Sequence, residues 1–590
     1  PAGTRAPGAP LPASAAAVSA VLRAFGRAPD ELPARTVVYV GADRPAADLA
    51  AEHEGFPVRT ASSPGRALRL AHRELQAGTT DFALVAGFGE PTPGAITVHA
   101  LRRAAEAVAD SDSILGVLDL LDLTGPAADP DDAPVVRPLR HGGRASAPQD
   151  APVVRLLLWS GRDESEEQRV RGELRPLLAG LPAEAFPGLP TAVPCGQAPG
   201  AVRAAAVTTA ADAALAVDRA KAVRTRGPRP VALLFPGQGS QHLAMAAGLY
   251  RREPVFTAAV DAVLDLMGEE GPAIRADWLG SATSPGARIG IDDVRRAQPL
   301  LYAVDYALGC LVIGWGVRPV AFLGHSAGEL VAATLAGVVS MPDAVAMMRE
   351  RVRHAVLIPP GGMLAVAASE ERLRPYLRGD VAIAAVNANQ QTMLAGSTEP
   401  LAEVEARLLA DGHTVVVVPA TSPFHCEAMA PAADAVHQAY RGIRLRPPTL
   451  PFYSGYTGEL LRPDEARDPR FWARQLTDTV YFKQALEQLL AVDDMLLIEA
   501  GPRQTLTSFA LRHRAVRLRA SAAVPLLPAR PGAPEADRKS VLTAAARLWN
   551  EGHDLDLDAV SRLWTWSADG TPDPARQDER AALRRPALRA

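Results

Sequence analysis

Two patterns of hydrophobic positions alternate along most of this 590-residue chain. Continuous apolar runs bounded by turn residues predict buried strands at "RTVVYVGA" (35–42), "DFALVAGF" (81–88), "PVVRLLLWS" (152–160) and "VALLF" (231–235). Between them, apolar residues recur at helical spacing, as in "PGRALRLAHRELQAG" (64–78). This alternation predicts α/β architecture with a mostly parallel sheet, most regularly from residue 231 to about 520.

Other segments predict the organisation around that region. "ITVHALRRAAEAVAD" (96–110) predicts a helix and "SILGVLDLL" (113–121) a strand, whereas 124–150 is rich in turn residues and predicts a domain boundary. Residues 1–28, rich in Ala and Pro, predict a linker or a disordered segment. Residues 362–419 predict the order βαββαβ, which is typical of a ferredoxin-like subdomain inserted into the larger domain.

Composition narrows the class of protein. The chain is too long for one core, it is 48% hydrophobic and 22% charged, and no apolar run predicts a membrane span. Net charge is −4 and no basic block indicates nucleic-acid binding. Three widely spaced cysteines (Cys195, Cys310, Cys426) predict neither a disulfide framework nor a zinc site, and they are typical of a reducing cytoplasm.

The stretch "GHSAGE" (324–329) follows an apolar run and precedes an Ala-rich helical stretch. G-x-S-x-G between a strand and a helix is the nucleophile-elbow pattern, in which the turn exposes Ser326 at a helix N-terminus. An ordinary glycine-bracketed turn is the alternative. A serine nucleophile needs a base, and His425 in "SPFHCEAM" is the best candidate, against the alternative of a surface histidine. Spacing alone identifies no acid partner.

Two further stretches have side chains suited to substrate binding. "FPGQGSQ" (235–241) has a glycine-flanked Gln238 directly after a strand, but it lacks the Lys-Ser/Thr of a P-loop. "AMMRERVRHAV" has Arg349, Arg351 and Arg353 on one predicted helix. A buried arginine binds a carboxylate with two parallel hydrogen bonds, whereas a solvated basic face is the alternative.

Taken together, these motifs resemble a malonyl-CoA:acyl carrier protein transacylase, specifically the acyltransferase domain of a modular type I polyketide synthase. The resemblance covers residues 230–520 and rests on "LLFPGQGSQ", "AQPLLYAVDYAL", "GHSAGELVAA", "VNANQQTMLAG", "SPFHCEAM" and "PFYSGYTGE", which occur in the family's order. It implies an α/β-hydrolase-like large subdomain with a ferredoxin-like small subdomain at 360–423.

The resemblance also implies roles for individual residues. Ser326 would be the nucleophile and His425 its base in a Ser-His dyad. The remaining assignments are the oxyanion hole (Gln238, Ala327), the substrate carboxylate site (Arg351), the pocket and its order (His325, Gln298, Asn387), and a backbone carbonyl near Tyr481 that orients His425. The implied reaction moves a malonyl-type unit from acyl-CoA to the phosphopantetheine of an acyl carrier protein, with no bound cofactor or metal. Other synthase modules are further partners, and neither nucleic acid nor membrane is expected.

The residues before His425 bear on the choice of acyl group. The three residues before His425 are Ser422, Pro423 and Phe424. In the family, malonyl-type domains have His-Ala-Phe at these positions and methylmalonyl-type domains have Tyr-Ala-Ser. Phe424 matches the malonyl pattern, whereas small, polar Ser422 leaves a substituted malonyl unit open. A thioester hydrolase using the same serine and histidine is a further alternative.

The flanking regions resemble other parts of a synthase. Residues 150–225 resemble the linker domain between ketosynthase and acyltransferase, and 521–566 the linker that follows the acyltransferase, before a polar tail at 567–590. Residues 29–130 resemble a truncated ketosynthase, a partial thiolase-like segment in which Ser62 replaces the active-site cysteine; a simple α/β segment is the alternative.

Overall fold

The computed structural model describes residues 153–189, 191, 199–280, 289–418 and 420–561, together with the backbone of seven strands between residues 36 and 138. The strands are β1 Thr36–Ala42, β2 Glu52–His53, β3 Phe56–Ala61, β4 Phe82–Phe88, β5 Ile96–Arg102, β6 Gly116–Val117, β7 Arg137–Pro138, β8 Arg155–Gly161, β9 Val202–Thr208, β10 Val223–Arg224, β11 Val231–Phe235, β12 Ala321–Gly324, β13 Gly361–Val366, β14 Ala382–Ala388, β15 Gln391–Ser397, β16 Val415–Val418, β17 Phe452–Ser454, β18 Glu459–Leu460, β19 Leu496–Glu499 and β20 Ala522–Pro525.

Helices connect most of these strands. The described α-helices are α1 Glu164–Ala179, α2 Ala213–Arg219, α3 Pro254–Leu266, α4 Gly271–Trp278, α5 Val294–Gly314, α6 Gly328–Leu335, α7 Met341–Ala355, α8 Glu370–Leu373, α9 Thr398–Ala410, α10 Ala430–Tyr440, α11 Pro463–Ala466, α12 Pro469–Arg474, α13 Phe482–Leu490, α14 Thr505–Ala510, α15 Arg514–Arg517, α16 Pro534–Asn550 and α17 Leu557–Ser561. In the described part of the chain only α5 is long and apolar enough to span a membrane, and 78% of its apolar window is buried inside the protein, as in a core helix.

The large sheet has the strand order β18-β17-β12-β11-β19-β20. Every pairing in it is parallel except that of the edge strand β18, which runs antiparallel to β17. All residues of β11 and β12 are buried, because helices cover both faces of a parallel sheet and its strands are therefore apolar throughout. The carboxyl ends of β11 and β12 lie side by side and supply the residues of the candidate site.

The small sheet has the order β14-β15-β13-β16 with antiparallel pairings throughout. Its elements follow the chain as β13, α8, β14, β15, α9 and β16, which is the βαββαβ order that the sequence predicts for a ferredoxin-like subdomain. The small sheet is inserted between α7 and α10, and the chain returns to the large sheet at β17.

A third sheet, β10-β9-β8, is formed by the predicted linker strands. Helix α16 from the far end of the chain packs on it: Trp549 Nε1 donates to the Trp159 carbonyl at 3.2 Å, and the Arg203 guanidinium lies 4.6 Å from the centre of the Trp549 ring. A cation over an indole face is a favourable contact that fixes the helix on the sheet.

The N-terminal strands form a separate sheet of order β2-β3-β1-β4-β5, in which β1 is parallel to both β3 and β4. The strands predicted at 35–42 and 81–88 are β1 and β4. The helix predicted from residue 96 is wrong at its start, because Ile96–Arg102 is the strand β5, antiparallel to β4. Its first three residues, Ile96, Thr97 and Val98, are β-branched and favour a strand, whereas the Ala-rich sequence after it favours a helix. The helix predicted at 64–78 and Ser62 lie outside the described residues.

Candidate active site

Ser326 occupies a sharp turn between β12 and α6. Its φ is +51°, a left-handed conformation that a non-glycine residue adopts only where its surroundings impose it. The flanking glycines have no room for a side chain: a Cβ on Gly324 would lie 2.4 Å from the backbone of Glu329, and one on Gly328 would lie 2.2 Å from the Phe235 carbonyl oxygen. The predicted strand-turn-helix is therefore present, and the serine lies at the N-terminus of α6.

His425 reaches the same point from the end of the small-subdomain insertion. Its Nε2 lies 2.7 Å from Ser326 Oγ, although the two residues are 99 positions apart. Its Nδ1 lies 3.0 Å from the Asp478 carbonyl oxygen, and its backbone N–H donates to Leu476 O at 2.7 Å. With Nδ1–H donating to a carbonyl, Nε2 is the unprotonated nitrogen and accepts a hydrogen bond from the Ser326 hydroxyl.

The sequence predicts that a carbonyl near Tyr481 orients His425, and the structure corrects this to Asp478. Tyr481 lies at the start of α13, and its carbonyl accepts a hydrogen bond from Ala485 N at 3.1 Å. A carbonyl engaged in the first turn of a helix is not directed at another element. The Asp478 carbonyl, in the loop before α13, is free of the helix and faces the imidazole.

Burial governs the electrostatics of the pair. His425 is buried, and loss of solvation, with smaller electrostatic contributions from His325 and Arg351, lowers the pKa of its imidazole to about 3. The imidazole is therefore neutral at physiological pH and available as a base.

Gln238 lies against the elbow from the neighbouring strand. It follows β11, and the loop is so close that a Cβ on Gly237 would lie 2.6 Å from the His325 carbonyl oxygen. Gln298 Nε2 lies 3.5 Å from Gln238 Oε1, while Gln238 Nε2 is buried with no hydrogen-bond partner among the described residues. The N–H of Ala327 belongs to the N-terminus of α6, where backbone donors have no partner within the helix. A Cβ on Gly237 would also lie 3.4 Å from Ala327 N, so the loop that carries Gln238 passes beside the backbone of Ala327.

His325 and Asn387 form a separate contact beside Ser326. His325 Nε2 lies 2.8 Å from Asn387 Oδ1, and the imidazole ring centroid is 5.5 Å from that of Phe482. Burial lowers the pKa of His325, so its neutral ring donates Nε2–H to the amide oxygen. Asn387 therefore acts on the pocket through His325.

A small pocket of about 20 Å³, enough for about one water molecule, opens beside Ser326. Gln238, Gln298, His325, Ser326, Phe424 and His425 line it, as the sequence predicts, together with Met363, Ala385 and Met393, which the sequence did not indicate. Ser422 and Pro423 do not line it. Ser422 is buried elsewhere, and the Pro423 ring packs against Gly361.

Arg351 and its neighbours on α7 face opposite ways. Arg351 is 4% exposed, forms no ion pair with any described residue, and has a buried Nε without a partner. Arg349 and Arg353 are exposed, as helical spacing requires for residues two positions away. Both alternatives left by the sequence occur on this helix. Arg351 points inward, whereas Arg349 and Arg353 form a solvated basic face.

Glu329 links the nucleophile helix to the loop that holds His425. Its Oε1 accepts hydrogen bonds from Ser454 Oγ (2.8 Å) and Gly455 N (2.5 Å), and its Oε2 accepts one from Gln475 Nε2 (2.9 Å). Gln475 immediately precedes Leu476, whose carbonyl binds the His425 backbone. Burial raises the pKa of the Glu329 carboxyl to about 8, against the opposing effect of these bonds and of Arg351.

We expect Glu329→Ala to lower the free energy of unfolding by about 2–5 kcal/mol, because it leaves three buried donors unsatisfied. Glu329→Gln should keep the fold, since the unpartnered Oε1 of Gln475 can rotate to accept from the new amide. The raised pKa means that the folded chain retains a proton that the unfolded chain loses above about pH 4.5. The free energy of unfolding should therefore decrease from pH 5 toward pH 8, and this decrease should be smaller in Glu329→Gln. Urea unfolding of both variants from pH 5 to 8 measures this, and equal stability of Glu329→Ala and wild type would contradict it.

Comparison with known proteins identifies the family of this site. The family described as "Acyl transferase domain" matches residues 232–530, about half of the chain. A phenolphthiocerol/phthiocerol polyketide synthase of Mycobacterium tuberculosis is 36% identical over 348 residues, which cover 58% of this chain and 22% of that protein. Polyketide synthase GfsB of Streptomyces halstedii is 37% identical over 291 residues, covering 48% of this chain and 5% of that protein. The chain thus spans less than a quarter of the length of these relatives.

Solved structures agree with the sequence match. The acyl transferase domain of SpnD, in complex with 2-(pent-4-yn-1-yl)malonyl, has a TM-score of 0.59 at 26% identity and covers 70% of this chain and 98% of its own. The acyltransferase domain from the second module of the salinomycin polyketide synthase has a TM-score of 0.52 at 27% identity, over 69% and 85% of the two chains. The chain belongs to the acyl transferase domain family, with polyketide synthases among its relatives.

Proposed function

We propose that the protein transfers a malonyl-type acyl group from CoA to the phosphopantetheine of an acyl carrier protein, through an ester on Ser326. The observation that carries the proposal is the 2.7 Å contact between Ser326 Oγ and His425 Nε2, with a buried, unpaired Arg351 on the neighbouring helix α7. The first pair suits acyl transfer through a serine, and the arginine suits an acyl group that ends in a carboxylate.

In the first half-reaction, His425 Nε2 takes the proton of Ser326 as Oγ attacks the thioester carbonyl carbon. The resulting oxyanion would accept hydrogen bonds from Gln238 Nε2 and Ala327 N–H. The C–S bond then breaks, the CoA thiolate takes the proton from His425, and the acyl group remains as an ester on Ser326.

The second half-reaction reverses these steps with a different thiol. The phosphopantetheine thiol of the carrier gives its proton to His425 and attacks the ester carbonyl. The C–O bond breaks, Ser326 Oγ takes the proton back, and the acyl group leaves as a thioester on the carrier. The carrier and other synthase modules would be the partners of this domain, because its relatives are longer polyketide synthases.

One observation favours an unsubstituted malonyl group, and a second favours a dicarboxylic acyl group in general. The pocket beside Ser326 is small, so a long α-substituent needs the side chains of Met363, Met393 or Phe424 to move, whereas malonyl needs the least rearrangement. The related SpnD domain holds a substituted malonyl group, which supports a dicarboxylic acyl group in this fold.

Hydrolysis by the same pair is the competing reaction. Ser326 and His425 line a pocket with space for about one water molecule, and His425 is 3% exposed. Exclusion of water favours transfer to a bound thiol over hydrolysis of the ester.

The test is intact mass spectrometry of the protein after incubation with malonyl-CoA, methylmalonyl-CoA and acetyl-CoA, with Ser326→Ala as control. We expect a malonyl adduct on the wild-type protein that is absent from the variant and that passes to a phosphopantetheinylated carrier. Consumption of malonyl-CoA without an accumulating adduct would indicate the hydrolase, and no consumption of any acyl-CoA would refute the proposal.

A further inference from the structure

Tyr456 lies beside the catalytic pair, although its motif suggested no role for it. It follows β17 in the turn "SGYTG", where its backbone N–H donates to Ser454 Oγ at 3.1 Å. Ser454 in turn donates to Glu329 on the nucleophile helix. These bonds connect the turn to α6, and the Tyr456 ring centroid lies 5.9 Å from that of His425.

The hydroxyl of Tyr456 is buried and has no hydrogen-bond partner of acceptable geometry in the described chain. The nearby groups that act on it are Arg351, Glu329 and Ser326. Burial raises the pKa of this phenol above its ordinary value, so the hydroxyl stays protonated and available as a donor. A buried donor without an acceptor is costly, and such groups mark places where a ligand completes the site.

Two other donors of the site share this condition. Gln238 Nε2 and Arg351 Nε are also buried without partners among the described residues. Gln238 lines the pocket beside Ser326, whereas Arg351 and the Tyr456 hydroxyl act on one another. A partner that would satisfy both Arg351 and Tyr456 is a group that only accepts hydrogen bonds and can accept more than one, which describes a carboxylate.

We propose that Tyr456 is a second binding residue for the terminal carboxylate of the acyl group, in which one carboxylate oxygen accepts from Arg351 and the other from the Tyr456 hydroxyl. The proposal rests on the function proposed above and specifies how its substrate is recognised. In a malonyl ester of Ser326 only one methylene separates the ester carbonyl from the carboxylate. Because the Tyr456 ring lies beside the His425 ring, which contacts Ser326, its hydroxyl would be close enough to the ester to bind that carboxylate.

The test compares Tyr456→Phe with wild type for two acyl groups, one with a terminal carboxylate and one without. Rates of adduct formation with malonyl-CoA and acetyl-CoA are measured by rapid quench and intact mass spectrometry. We expect malonylation to slow by about ten- to a hundredfold, the loss of one hydrogen bond to a charged group, and acetylation to stay nearly unchanged. Tyr250→Phe is the matched control, because it removes a hydroxyl that donates to Asp261 (2.7 Å) and does not line the pocket; both rates should be unaffected.

Other outcomes overturn the inference in distinguishable ways. An equal loss of malonylation and acetylation would mean that the hydroxyl only positions Ser326 or His425, and no loss of either would mean that it binds nothing in the reaction. Thermal unfolding of Tyr456→Phe checks that the variant is folded. Failure of the wild-type protein to accept malonyl from CoA would overturn the proposed function itself, and with it this assignment, before any variant is compared.

Discussion

His425→Ala should slow formation of the acyl-enzyme by about a thousandfold or more, which is the contribution expected of a positioned general base. The reason lies in the geometry: Nε2 is 2.7 Å from Ser326 Oγ, and the Asp478 carbonyl holds Nδ1–H so that Nε2 stays unprotonated. Single-turnover acylation measured by intact mass gives the rate. His437→Ala, a partly exposed histidine on α10, is the matched control and should acylate like wild type.

The same histidine predicts an unusual pH profile. Because burial lowers the pKa of His425 to about 3, the base is already unprotonated well below neutral pH. The acylation rate should therefore show no acidic limb between about pH 5 and 7, where an exposed histidine with a pKa near 6.5 would lose activity. A limb centred near pH 6.5 would contradict both the burial of the base and its neutral resting state.

Arg351→Ala should reverse the preference between charged and uncharged acyl groups. Malonyl transfer should fall by about a hundred- to a thousandfold, because the substrate carboxylate would be buried without its cation, while acetyl transfer should persist or rise. Arg351→Lys should restore little, since an ammonium group lacks the planar fork that binds a carboxylate with two parallel bonds.

A competition experiment measures this preference directly. Equal concentrations of malonyl-CoA and acetyl-CoA are offered, and the two adducts are weighed in one spectrum. Arg349→Ala, on the exposed face of the same helix, controls for loss of charge and should keep the wild-type ratio. Unchanged malonylation of Arg351→Ala would show that the carboxylate binds elsewhere.

Much of the fold was predictable because its signals are local. The elbow at Ser326 needs only a buried strand, two glycines and an apolar helix in succession, and the βαββαβ order of the small subdomain is visible as a change in apolar period. The strand Ile96–Arg102 was missed because a helix-favouring Ala-rich segment follows it. Its pairing with β4, which the sequence does not reveal, stabilises the strand.

The site was less predictable where it depends on distant pairings. His425 was identifiable as a candidate, but Asp478 contributes only a carbonyl, which every residue has. Met363, Ala385 and Met393 are apolar residues of strands and cannot be told from core residues until the small sheet is placed over the pocket. Tyr456 was in a quoted motif, yet only its buried, unpaired hydroxyl distinguishes it from a turn tyrosine.

The pocket is built from two separate sheets, and this division matters for engineering. Ser326 and Gln238 follow strands of the large sheet, and the glycines beside them have no room for a side chain. Met363, Ala385 and Met393 come from β13, β14 and β15 of the small sheet. Mutant libraries confined to those three strand positions should enlarge the pocket beside Ser326 without disturbing the strained turn that holds it. Grafting the whole β13–β16 insertion between homologues is the corresponding route to new building blocks.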